Sequence, residues 1–282
     1  MMYGSRHVNG IPVSGFGVYA LDARTTEKAV SDALEAGYLH IDTAQSYGNE
    51  AACGAAIAAS GLSRDQFFVT TKVTPMNFGA GLMAPSVRAS CDALGVDQID
   101  LLLIHYPSPW DMVPFDIYID QLGAVRDAGL TRKIGVSNFT IAQMNAAEKI
   151  LGAGSLATNQ VEIHVFNQNR KVADHCKVGG IPATAYCALA RGGLFGEPAA
   201  KFGPHPTLQA MAGKHDATIA QIGLAFLRGE GHVTLCTATE PHLIKSNLAA
   251  ETLHLDAADM AALRLLDRGK RLVDTVYFPI FD

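Results

Sequence analysis

Asp42, Tyr47, Lys72 and His105 are four residues whose types and order could carry out one reaction together. A phenol with an ordinary pKa of about 10 is a poor acid at neutral pH. A nearby ammonium stabilises the phenolate and lowers that pKa. A carboxylate beside the ammonium holds it in place and keeps it charged. A histidine on the opposite side orients a carbonyl oxygen by hydrogen bonding. Such a set protonates an oxygen as a hydride reaches the attached carbon. Each residue alone has a plainer reading. Asp42 fits a helix cap, Tyr47 a packed loop aromatic, Lys72 a solvated strand end, and His105 a structural imidazole before Tyr106-Pro107. Their joint placement at successive strand ends favours chemistry.

The elements that would position them follow from hydrophobic periodicity. Strands are expected at 16–18, 40–42, 67–72, 99–104, 133–137, 157–162, 182–186 and 233–236. Helices are expected at 26–36, 49–59, 85–94, 117–128, 142–150, 170–177, 217–227 and 241–248. Gly37 and Gly95 stand where two of these helices would close on a left-handed residue. The run 99–104 is almost wholly apolar, as a strand buried on both faces should be. Strict alternation of strand and helix implies a parallel sheet. At 282 residues it implies a closed (β/α)8 TIM barrel of the α/β class. Ahead of the first strand, Asn9-Gly10 favours the type I′ turn of a β-hairpin, expected to close the bottom of the barrel. No linker or fixed repeat is visible. One domain over 1–282 is expected, with 1–14 as the hairpin and 272–282 as a C-terminal tail near the active-site rim. An open doubly wound sheet is the runner-up, but Gly15-Phe16-Gly17 lacks the third glycine of a phosphate turn. In a barrel, strand C-terminal ends build the site. Asp42 ends the second strand, Lys72 the third and His105 the fourth, with Tyr47 five residues after Asp42.

Composition narrows the function. Hydrophobic residues make up 49% and charged residues 17%, which excludes disorder and coiled coil. The net charge is −5 and no basic block stands out, so nucleic acid is not an expected partner. No apolar run reaches membrane-spanning length, and the first ten residues lack the apolar core of a secretory signal. The five cysteines are widely spaced without a C-x-x-C, which fits a reducing cytoplasm. The ten histidines form no ligand cluster, so no metal is expected. A monomer acting on a small molecule is the expected state.

The segment from Gly37 to Ala44, followed by Tyr47-Gly48-Asn49-Glu50, resembles the first signature of the aldo-keto reductases. Asp97 to Pro107, Lys133 to Phe139, Asn159 to Glu162, and Ala185-Tyr186 resemble that family's next strand motifs. The resemblance implies an NAD(P)H-dependent oxidoreductase that reversibly reduces aldehydes or ketones to alcohols. Tyr47 would be the general acid, Lys72 and Asp42 would tune it, and His105 would orient the substrate oxygen. Ser137, Asn138 and Gln160 would bond the nicotinamide carboxamide, with Tyr186 stacked on its ring. Gly17, Val18 and Asp42 would also touch the cofactor. Backbone at Cys187, Ala188, Leu189 and Ala190 would line the pyrophosphate, with Cys187 in place of the usual serine. Tyr19, Tyr47, His105, Tyr106 and Trp110 would border the substrate. The short segment 77–84 and the short tail after Leu272 suggest an open pocket.

After the last strand, the family resemblance implies a Lys-Ser pair and an Arg six residues beyond the Lys, which grip the 2′-phosphate of NADPH. Cys236 and Thr237 stand for the pair and His242 for the arginine, with Asn247 one residue late for the family's asparagine. A neutral histidine replaces a bidentate guanidinium. NADH is therefore expected to serve at least as well as NADPH. Two other readings compete. One is a non-catalytic dinucleotide-binding barrel that senses redox state. The other is a phosphate-handling lyase or isomerase on the same barrel. The intact quartet argues against the first. The second would want a glycine-rich phosphate loop after strand seven or eight, where Arg191-Gly192-Gly193 is suggestive, but the neighbouring tyrosine motif explains it better.

Overall fold

A computed structural model describes residues 6–195 and 205–273. The strands β1 (His7–Val8) and β2 (Ile11–Pro12) form an antiparallel hairpin. Its turn residues Asn9 and Gly10 both have positive φ, at 52° and 72°, as a type I′ turn requires. Eight parallel strands then close a barrel: β3 (Ser14–Gly17), β4 (His40–Asp42), β5 (Phe68–Val73), β6 (Ile99–Ile104), β7 (Thr131–Ser137), β8 (Leu156–Glu162), β9 (Ala183–Tyr186) and β10 (Val233–Cys236). β10 pairs with β3, so the barrel sheet closes on itself. The expected fold class is what the structure shows.

Helices follow the strands in turn. They are α1 (Ala23–Ala36), α2 (Glu50–Ala59), α3 (Met83–Leu94), α4 (Phe115–Asp127), α5 (Ile141–Leu151), α6 (Arg170–Val178), α7 (Pro206–Lys214), α8 (Ile219–Gly229), α9 (Pro241–Ala249) and α10 (Ala257–Arg264). Gly37 takes φ 105° and Gly95 φ 68°, the left-handed closures expected of them. The sequence reading missed α7 and α10. It also placed the first strand two residues late, because Ser14 and Gly15 carry no apolar signal although both are buried. A Cβ on Gly15 would lie 2.4 Å from Leu235 and 2.8 Å from His40.

The main core lies between strands and helices. A second cluster fills the barrel's lower interior: Ile11, Leu101, Leu103, Ala157 and Val233, with Phe68 against it. Ile11 belongs to the hairpin, which therefore plugs the bottom. Asn9 Nδ2 fixes the plug by donating to the Ala157 carbonyl at 3.3 Å. A His40 ring nitrogen lies 3.4 Å from the Pro12 carbonyl. The top of the barrel is polar instead, and the chemistry sits there.

Candidate active site

The site begins where β4 ends. Asp42 is its last residue, and a 3-10 turn over Gln45–Tyr47 swings Tyr47 back over the barrel mouth. Asn49 fixes this turn. Its Nδ2 donates to the carbonyls of Val18 and Leu21, and its Oδ1 accepts from Thr43 Oγ1. Lys72, near the end of β5, points into the barrel. Its Nζ donates to Asp42 Oδ1 at 2.5 Å, to the Thr43 carbonyl at 2.7 Å and to the Tyr47 hydroxyl at 3.4 Å. The other Asp42 oxygen accepts from Gln160 Nε2 at 2.8 Å. Asp42 and Lys72 are 3% and 1% exposed. Burial of two charges costs several kcal/mol each, which only close pairing and further hydrogen bonds offset. His105 follows β6 with its ring edge-on to Tyr47, centroids 5.5 Å apart. The structure thus brings all four expected residues together.

Their electrostatics differ from the simple expectation. The reading from sequence had the Lys72 ammonium lowering the Tyr47 pKa. Burial instead pushes the phenol well above its ordinary value, and the Asp42 carboxylate pushes the same way. Lys72 spends its charge mainly on Asp42, its direct partner. Burial pulls Lys72 itself below its ordinary value, against the upward pull of Asp42. Tyr47 therefore keeps its proton at neutral pH, as a donor must. Burial, and then the Lys72 charge, push the His105 imidazole down to about 3. It is neutral throughout the neutral range and can hydrogen-bond a carbonyl oxygen without titrating.

That neutrality predicts a pH dependence of stability. His40 and His232 are also pulled down, chiefly by burial, His232 to about 4. The unfolded chain takes up these protons at about pH 6.5. The folded chain takes them up only at lower pH, so stability is full above the unfolded value and lost as pH falls toward the folded ones. Tm is expected to drop between about pH 7 and pH 4, and His105→Gln to flatten the drop. A Tm in His105→Gln that falls as steeply as in the unmodified protein contradicts the neutral imidazole.

A cavity of about 690 Å³ opens above the quartet, a size typical of cofactor and ligand sites. Gly17, Asp42, Ser137, Asn138, Gln160, Tyr186, Cys187, Ala188, Leu189, Cys236 and Thr237 line it, as do Tyr19, Tyr47 and His105. The polar members form one network. Tyr186 hydroxyl donates to Asn138 Oδ1 at 2.7 Å, Asn138 Nδ2 donates to the His105 carbonyl at 3.1 Å, and Ser137 Oγ donates to the Gln160 carbonyl at 2.8 Å. Cys187, Ala190, Arg191 and Gly192 all have positive φ, which bends the loop after β9 around the cleft. Leu235, Leu243, Arg191, Gly192, Phe195 and Val273 also line the cavity and were missed. Arg191-Gly192 was the available signal, since a cation and a glycine after a barrel strand suit a phosphate.

Several expected contacts fall elsewhere. Val18 is fully buried in the core. Ala190 is buried, and Asn247 is 5% exposed on α9 and off the cavity wall. Tyr106 packs on His105 at 5.4 Å between ring centroids, and Trp110 is 71% exposed outside the cavity. Cys236 borders the cavity, but its sulfur lies 3.1 Å from the Tyr38 hydroxyl within the main core. His242 is exposed and off the wall, whereas Leu243 lines it. Thr237 and Leu243, six residues apart, line the cavity one residue beyond Cys236 and His242. Of the expected tail, Leu272 and Val273 are described and Val273 reaches the cavity, while 274–282 lies outside the described residues, as do 1–5 of the hairpin segment.

Closed barrel, plugged bottom and a Lys-Asp-Tyr-His cluster at the strand tops together define a carbonyl-reducing (β/α)8 oxidoreductase. A family model described as the aldo/keto reductase family matches residues 14–268, and the chain belongs to that family. A methylglyoxal reductase of Yersinia pestis is 43% identical over 263 residues, which span 93% of this chain and 96% of that protein. The corresponding protein of Salmonella typhimurium is 41% identical with the same coverage. The crystal structure of a Bombyx mori aldo-keto reductase in complex with NADP is 29% identical, with a TM-score of 0.85 over 94% of this chain and 92% of that one. Among the described residues, no helix is long and apolar enough to cross a membrane.

Proposed function

We propose that the protein reduces small aldehydes and ketones, 2-oxoaldehydes such as methylglyoxal among them, with a reduced nicotinamide dinucleotide. The observation that carries this reading is the Tyr47 hydroxyl 3.4 Å from Lys72 Nζ, above a Lys72–Asp42 pair at the floor of an open cleft. The bound cofactor would supply the hydride to the carbonyl carbon. Tyr47 would donate its proton to the carbonyl oxygen, giving the alcohol and a phenolate. Lys72 would stabilise that phenolate until solvent returns the proton. Neutral His105 would hold the carbonyl oxygen near Tyr47.

The cleft suits a nicotinamide. The Gln160 amide keeps an N–H and its carbonyl oxygen beyond the bond to Asp42, and the Asn138 amide oxygen keeps an acceptor position beside Tyr186. Tyr186 presents a ring beside them. Arg191 would meet the diphosphate together with the backbone of the bent loop. At the adenosine end, Thr237 and Leu243 would stand where the family resemblance places the cations for a 2′-phosphate, and Thr237 Oγ1 already donates to the Gly17 carbonyl at 2.7 Å. Neither side chain offers charge to a dianion, so NADH would serve at least as well as NADPH. Steady-state kcat/KM on methylglyoxal with each cofactor tests both parts. The double variant Thr237→Lys/Leu243→Arg is expected to shift the ratio about tenfold or more toward NADPH, while His242→Arg leaves it nearly unchanged. A tenfold NADPH preference in the unmodified protein refutes the NADH reading, and no reduction with either cofactor refutes the activity.

A further inference from the structure

Glu162, the last residue of β8, is fully buried and outside the quartet. Its Oε1 accepts the Leu272 N–H at 2.6 Å and its Oε2 accepts the Val273 N–H at 2.7 Å. A His164 ring nitrogen lies 3.1 Å from Oε1. Burial alone would raise this carboxyl, but the His164 and backbone hydrogen bonds outweigh it and hold the group below its ordinary range. A buried carboxylate at a barrel rim is costly unless its bonds do something specific. Here both oxygens are spent on two consecutive amides of the C-terminal segment. The segment is stitched down before that point as well. Gln168 Nε2 donates to the Leu263 carbonyl at 2.9 Å, and the Arg268 and Lys270 amides both donate to the Phe166 carbonyl. The last described residue, Val273, lines the reaction cavity.

The geometry points to Glu162 as a positioning residue: its carboxylate latches the backbone at 272–273 so that Val273 forms a fixed wall of the carbonyl pocket. The latch sets how tightly substrate is held and leaves proton transfer to Tyr47. This rests on reading the cleft as the carbonyl site. Glutamine at 162 keeps the volume but turns one acceptor into a donor facing a donor. Val273→Pro removes one of the two amides and leaves the carboxylate intact, so it cuts the latch from the other side.

Three measurements test the proposal on the full chain. In Glu162→Gln, the Leu272 and Val273 amides should exchange hydrogen about a hundredfold faster while the barrel amides do not change. In both variants KM for methylglyoxal should rise about tenfold with kcat within about threefold. The Kd for NADH should stay within about twofold, because the proposal assigns Val273 to the substrate side of the cleft. Unchanged exchange at the two amides in Glu162→Gln overturns the latch, and this readout needs no activity, so it is separate from failure of the reductase reading. Faster exchange with an unchanged KM in both variants overturns the role in substrate binding. A matching loss of NADH affinity overturns the assignment to the substrate wall.

Discussion

Tyr47→Phe is expected to lower turnover by at least about a hundredfold, the usual size of a general-acid contribution. The substitution removes one oxygen and keeps the ring. That ring packs edge-on to Tyr19 and His105, with centroids 5.1 Å and 5.5 Å away, so the mouth of the barrel should keep its shape. Dinucleotide affinity, read by fluorescence titration, should hardly change. Near-normal turnover on a good aldehyde would remove Tyr47 as proton donor.

Lys72→Met should be damaging twice over. The Asp42 carboxylate would remain buried with Gln160 but without its cation. Removing one partner of a buried pair costs about 3–5 kcal/mol. The phenolate formed in each turnover would also lose its ammonium, so kcat should fall about tenfold or more. Asp42→Asn should be milder in both respects, since the amide retains an acceptor for Lys72. The double variant Asp42→Asn/Lys72→Met should recover much of the stability and none of the activity. Urea denaturation and steady-state kinetics on the three variants separate the two effects. A Lys72→Met protein with an unchanged midpoint and an unchanged pH–rate profile would show that the pair does neither job.

Much of this was legible in the residues. The apolar run of β6 and the polar strand ends Asp42 and Lys72 could be read directly, because inward polar groups interrupt an otherwise apolar layer. The hairpin was legible because Asn9-Gly10 suits few other conformations. Helix α10 was missed although Asp256 and Asp259 form a reciprocal cap at its start. Helix α7 offered less, since His205 caps it through a ring nitrogen and Pro206 opens it. The adenosine end failed for a different reason. Side chains along a strand alternate between faces, so an error of one residue exchanges inside for outside. Leu235 faces the cleft and the Cys236 sulfur faces Tyr38, a difference no composition reveals. The loop after β9 was read as backbone only, because the neighbouring Ala185-Tyr186 motif accounted for Arg191-Gly192 without a phosphate loop.

The two ends of the described chain meet opposite ends of one strand. Asn9 of the hairpin bonds the Ala157 carbonyl near the start of β8, and Leu272 and Val273 bond Glu162 at its finish. Five residue steps along β8 separate those anchor points by about 16 Å. Handling of the protein on a solid support should therefore be strongly asymmetric. Tethering through the N-terminal side would load the plug beneath the barrel and leave the mouth facing bulk solution. Tethering through the C-terminal side would pull on two hydrogen bonds that shape the reaction chamber, so the same bead, electrode or fusion partner would report a different enzyme depending on which end carried it.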